Sequence, residues 1–231
     1  MALKLIDLSQ EIFEGMSIFP MHQRTFIMTN MTHEENMEMT GSPTVGFSAR
    51  NLLISEHCGT HSDGVSEFKP GGPTIDNMPL EHFWGSAICI DVSHIRYPNY
   101  IEPIDLEEAV RKSGQEIRKG DIVLLYTGHH DRAYGTDKFQ TDYTGLSYEG
   151  AKWLAEQGVM NIGIDAPAID LTPDDINFSG HMVCGEYNIT NTENLCNLDK
   201  VVNQRFLYIG LPLKIRDGSG SPIRAVALIE E

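Results

Sequence analysis

The chain is poor in cysteine, and what it has is scattered. Cys58, Cys89, Cys184 and Cys196 form no C-x-x-C pair, which excludes a zinc ribbon and gives no disulfide framework. Reduced, buried thiols are expected. Long hydrophobic runs are also missing, since no apolar stretch approaches the ~18 residues of a membrane span. At the start of the chain Asp7 arrives too early for a signal peptide's apolar core, so the expected location is the cytoplasm. Positive charge is scarce, with 17 Lys+Arg against 33 Asp+Glu and a formal net charge of −16. Nucleic acid and anionic membrane both need a basic face and are not expected partners. A highly anionic substrate is disfavoured too, unless a metal or a local arginine offsets the field. No G-x-S-x-G elbow occurs, which weighs against a serine hydrolase.

What is present is ordinary globular stock: 231 residues, 41% hydrophobic and 22% charged. A single domain over residues 1–231 is expected. Alternation and β-branched content predict strands near Leu3–Leu8, Asn51–Ser55, Ala87–Val92, Ile122–Tyr126, Asn161–Asp165, Phe206–Leu211 and Ile223–Ile229. Helices are predicted over Asp105–Lys112, stopped by Gly114, and over Ser147–Gln157, with Ser147 as N-cap. Each helix precedes a buried-looking strand, so the fold class is α/β with one mixed sheet. Two stretches read as irregular. Glu14–Phe47 holds six of the ten methionines and suits a substrate cover or a subunit contact. Packing as an arm on the chain's own core is the equal alternative. Thr172–Asp199 is long for a loop and reads as a functional excursion.

The chemistry concentrates in Glu56-His57-Cys58-Gly59-Thr60-His61-Ser62-Asp63-Gly64-Val65-Ser66-Glu67-Phe68. In an extended strand, residues of equal parity share a face. His57, His61 and Asp63 would then converge, joined by Glu67 if the extension persists through Gly64. Imidazole plus carboxylate is the donor set of catalytic Zn, Mn or Fe, not of a structural thiolate site. His181 and Glu193, from the second irregular stretch, are further donors. His22, His33, His82, His94, His129 and His130 compete with them, and the His129-His130 pair is expected on a loop after Ile122–Thr127.

His57-Cys58-Gly59-Thr60-His61-Ser62-Asp63 resembles the H-x-G-T-H-x-D core of the cyclase-like metal hydrolases. Members of that family include bacterial kynurenine formamidases, isatin hydrolases and trans-dienelactone hydrolases. The resemblance extends to Asp7-Leu8-Ser9 with Pro20, to Gly163-Ile164-Asp165, and to Leu211-Pro212-Leu213-Lys214 with Gly220-Ser221-Pro222-Ile223-Arg224. It implies a swivelling β/β/α fold, assembled as homodimers or homotetramers. It also implies His57, His61, Asp63, His181 and Glu193 as metal ligands for one or two divalent ions, Zn or Mn, with Asp63 and Glu193 as bridges if two bind. The chain departs from the longer pattern H-x-G-T-H-x-D-x-P-x-H-F twice. Val65 replaces the proline, and Glu67 replaces the histidine that does acid–base work in formamidase-like members.

The expected function is a metal-dependent hydrolase acting on a small molecule, a flat ring compound. It would open a cyclic amide or lactone, or cleave an aryl-formamide, by attack of metal-activated water, with Glu67 carrying the proton. Phe19, Phe47, Phe83 and Trp84 are available as an aromatic wall, although core packing is their commoner fate. The rival activity is a non-haem Fe(II) dioxygenase using His61, Asp63 and His181. A non-catalytic metal- or ligand-binding member of the fold is the third reading.

Overall fold

The computed structural model describes residues 3–171 and 176–230. In chain order its elements are β1 (Leu3–Asp7), β2 (Phe26–Met31), α1 (His33–Thr40), β3 (Ala49–Leu53), β4 (His61–Asp63), β5 (Trp84–Asp91), α2 (Pro103–Ser113), β6 (Ile122–Tyr126), α3 (His129–Ala133), α4 (Tyr148–Glu156), β7 (Asn161–Ile164), α5 (Ser179–Tyr187), β8 (Thr190–Glu193), β9 (Arg205–Ile209), β10 (Gly220–Pro222) and β11 (Val226–Glu230). One nine-stranded sheet runs in the order β1-β11-β9-β5-β6-β7-β8-β4-β10, and β2 pairs with β3 apart from it. The β5–β6–β7–β8 pairings are parallel and the flanking pairings antiparallel.

The pleat sorts the core into two bodies. Ile88 and Ile90 on β5 and Val123 and Leu125 on β6 face Leu106 of α2, Leu154 of α4 and Val183 of α5. Their neighbours Ala87, Cys89, Ile122 and Leu124 point to the other face. There they meet Ile6, Phe206, Tyr208 and Ala227 from the antiparallel strands. The sheet therefore curls until its antiparallel flank covers its own parallel centre, the mixed α/β architecture anticipated from sequence. All four cysteines are free and buried. Among the described residues no helix is long and apolar enough to cross a membrane.

The helices form where their signals lie. Helix α2 starts with Pro103 at its first turn and a reciprocal Glu102–Asp105 capping box, and ends at left-handed Gly114. At α4 the Ser147 hydroxyl accepts from the Gly150 N–H at 3.0 Å. Three expectations are corrected. The stretch Glu14–Phe47 is not irregular throughout: it contains β2 and α1, the latter opened by a Thr32–Glu35 capping box. Its hydrophobic periodicity is weak because β2 is mostly exposed and α1 buries only Asn36. The second stretch holds α5 and β8, and its Thr172–Asp175 portion lies outside the described residues. Strand β8, Thr-Asn-Thr-Glu, is polar yet wholly buried, so no hydrophobic pattern could reveal it. His129 and His130 begin helix α3 and are not on a loop.

Candidate metal centre

His61 and Asp63 lie on β4, between β8 and β10, where His61 stands opposite Glu193 and Asp63 opposite Gly220. The shared-parity argument holds for these two alone. His57 precedes the strand in a turn, and Gly59, at φ +62°, bends the chain between them. Only glycine adopts that left-handed backbone without a steric penalty. The extension also stops at Gly64, so Glu67 arrives on a single 3-10 turn, Val65–Glu67. That turn still delivers its carboxyl to 3.6 Å from His57 Nδ1. Helix α5 contributes His181, and the end of β8 contributes Glu193. All five sequence-predicted donors and Glu67 thus meet at one place, by a different local geometry from the one expected.

Donor atoms of His57, His61 and Asp63 lie within 4.8 Å of one another, and so do those of Asp63, His181 and Glu193. Asp63 belongs to both groups. Its Oδ1 is 2.7 Å from His57 Nδ1 and 3.5 Å from His61 Nε2, while its Oδ2 is 3.5 Å from His181 Nε2. Glu193 spans the same gap, with Oε2 3.4 Å from His61 Nε2 and Oε1 3.2 Å from His181 Nε2.

The outward nitrogen of each imidazole is already committed. His61 Nδ1–H donates to the Gly59 carbonyl at 2.8 Å. His181 Nδ1–H donates to Asp170 Oδ2, a carboxylate further held by the Gly180 and His181 backbone N–H groups. The Glu56 carboxylate takes the Ser219 hydroxyl proton at 2.8 Å, so Ser219 Oγ accepts from His57 Nε2–H at 2.9 Å. Each ring is thereby left with a lone-pair nitrogen aimed at the carboxylates. The Asn191 amide serves part of this cluster of acceptors, and a cation would satisfy the rest. The donor set, its burial and its outer hydrogen bonds fit a divalent ion.

The electrostatics agree. Burial disfavours charge on His61, but the Asp63 and Glu193 carboxylates outweigh it and push its pKa up to about 9. Burial likewise opposes ionisation of Asp63, yet His57 and His61 hold it well below the usual carboxylate range. Glu67 goes the other way: burial and the neighbouring Asp63 charge push it up to about 10. Its Oε2 is buried without a hydrogen-bond partner.

A cavity of about 310 Å³ opens over these groups. Of the four aromatics considered for a wall, only Phe19 lines it. Phe83 is fully buried with Val65, Ile75 and Met78, while Phe47 and Trp84 are about half exposed elsewhere. Phe68 and Phe178 supply the wall instead, with Phe68 4.2 Å from the His181 ring. Among the competing histidines, His22 lines the cavity, 4.9 Å from the His57 ring. His82 and His129 are buried against the carbonyls of Met160 and Phe139, and His33 and His94 are exposed. Sequence reasoning also missed Asp170, Asn191 and Ser219, whose only signal is their nearness to His181, Glu193 and Gly220. Asn191 Nδ2 donates to Asp63 Oδ2 at 2.5 Å and to Glu193 Oε1 at 3.1 Å. Gly220 leaves the space His57 occupies, since a Cβ there would lie 2.7 Å from His57 Cε1.

A family model described as "Putative cyclase" matches residues 6–171. Kynurenine formamidase from Bacillus cereus is 30% identical over 223 residues, covering 96% of this chain and 95% of that protein. The kynurenine formamidase of Bordetella petrii is 26% identical, covering 96% of this chain and 97% of that one. Among solved structures, isatin hydrolase A from Labrenzia aggregata, bound to benzyl benzoate, superposes with a TM-score of 0.85 at 22% identity, over 99% of this chain and 94% of that one. Isatin hydrolase A from Ralstonia solanacearum gives 0.83 at 23% identity, over 99% and 92%.

Proposed function

Because this chain belongs to the Cyclase family, we propose that it is a metal-dependent hydrolase that opens a cyclic amide or lactone or cleaves an aryl-formamide. The observation that carries this reading is the convergence of three lone-pair imidazole nitrogens on two buried carboxylates. His57, His61, Asp63, His181 and Glu193 would hold one or two divalent ions, and if two bind, Asp63 and Glu193 would serve both. Zinc and manganese both suit these donors. Such an ion supplies Lewis acidity, which acidifies water and polarises the scissile carbonyl.

The protein's own groups do the rest. Asp170, the Gly59 carbonyl and the Ser219–Glu56 pair fix the ring orientations before anything binds. Phe68 and Phe178 stack over a flat ring and exclude water from one side of the cavity. Glu67, whose Oε2 is buried without a hydrogen-bond partner, carries the proton to the leaving nitrogen or oxygen. The helices α2, α4 and α5 interleaved with the sheet favour this reading over an oxygenase on an all-strand barrel.

Two further calls belong to the same reading. The β2–α1–β3 arm exposes Phe26, Met28, Leu52 and Leu53, which supports a homodimer or homotetramer. Four free buried thiols support a cytoplasmic location. The activity is tested by stripping the protein with a chelator, reloading it with zinc or manganese, and assaying isatin, a dienelactone and N-formylkynurenine. Turnover that disappears on chelation and returns on reloading is expected. Turnover that survives complete chelation contradicts the proposal.

A further inference from the structure

The cavity over the centre is walled by Phe19, Phe68 and Phe178, and its polar lining beyond the metal donors is Ser17, His22, Gln140 and Asn194 with two carboxyl groups, Glu67 and Asp170. Gln140 and Asn194 each carry a buried side-chain carbonyl oxygen with no partner. Gln140 donates from its amide nitrogen to Ser17 Oγ at 3.0 Å, so its oxygen is the end left over. Among the described residues no lysine or arginine lines the cavity. Arg24 does not line it but borders an adjoining cavity that shares Ser17, Ile18, Phe19 and His22 with it. Lys69, next to Phe68, is tied to Asn188 Oδ1 at 2.9 Å.

Resting on the hydrolase reading above, we propose that this cavity takes flat, uncharged aryl substrates and rejects those that carry a carboxylate. Any positive charge at the site sits at the buried donor cluster, where the scissile carbonyl must bind, so it cannot also serve a carboxylate elsewhere on the substrate. Such a tail would leave water to face Phe rings and unpartnered carbonyl oxygens. An anion desolvated without a donor is costly. The net charge of −16 adds long-range repulsion.

The test compares two substrates with the same scissile bond on the metal-loaded enzyme: 2-acetylformanilide, which is neutral, and N-formylkynurenine, which adds an amino-acid tail. At least about tenfold higher kcat/KM for the neutral compound is expected, the order of penalty for an unpaired buried charge. Met21, which lines the cavity and is 78% exposed, tolerates substitution, and Met21→Arg should narrow the gap by raising turnover of the tailed compound. Equal turnover, or preference for the tailed compound, overturns the proposal. If neither is cleaved, calorimetric titration of the two intact compounds decides it: tighter binding of the neutral one supports it, equal or weaker binding overturns it. The hydrolase reading fails separately, by absence of any metal-dependent turnover across the wider panel.

Discussion

At the scale of single residues, Glu67 and Asp170 carry the sharpest expectations. Glu67→Gln keeps shape and a hydrogen bond but no transferable proton. Metal content should stay near wild type while turnover falls roughly 10²–10⁴-fold, the worth of a positioned proton carrier. Glu67→His should recover part of that loss, and metal lost from Glu67→Gln would make the residue a ligand. Asp170 holds the His181 ring. Asp170→Asn should weaken metal binding about 10–100-fold, as other outer hydrogen-bond partners of ligands do, measured by chelator competition. The residues that bring chemistry were legible because histidines and acids in H-x-x-x-H-x-D spacing are conspicuous. Those that orient them were not, because Asp170, Ser219 and Asn191 are common polar residues made functional only by β8, β10 and α5 coming together.

At the scale of elements, the apolar strands β5, β6 and β7 and the capped helices α2 and α4 were readable, since burial wrote a periodic pattern into them. Strand β8 was not: Asn161, Thr192 and Asn191 satisfy one another and the site by hydrogen bonds, which leaves no hydrophobic trace. Just beyond β7, Asp165 marks a strained point. Its Oδ1 accepts from the Thr127 N–H and hydroxyl at 2.8 and 2.6 Å, while Oδ2 is buried without a partner. Burial raises its pKa to about 6, against the pull of the Thr127 hydrogen bonds. A carboxyl whose folded pKa lies above its unfolded 3.8 contributes stability that is complete below that value and is lost as pH rises through 6. The unfolding free energy of wild type minus that of Asp165→Asn should therefore fall by roughly 2–3 kcal/mol between pH 4 and pH 7.5. Urea titrations at the two pH values measure it, and a difference that rises with pH contradicts the assignment.

At the scale of the molecule, the curled sheet buries two cores, and the thiols report on both. Cys184 belongs to the helix-side core and Cys89 to the other, and burial pushes both thiols up in pKa. Reaction of the native protein with a thiol-specific disulfide reagent should be slow, and four thiols per chain should appear on unfolding. A fast native thiol would place an opening in one core. The same architecture brings β4, β8, β10, α5 and the turn before β4 to one point, so that residues far apart in sequence share a charge cluster that only a cation neutralises without protonation. The direct measurement of that claim is metal content by elemental analysis of purified wild type beside His61→Ala and His181→Ala. Wild type should hold one or two equivalents of zinc or manganese per chain, and each variant should lose at least one of them. Wild-type metal content in both variants, or wild type that binds no divalent ion when one is offered, would contradict the account.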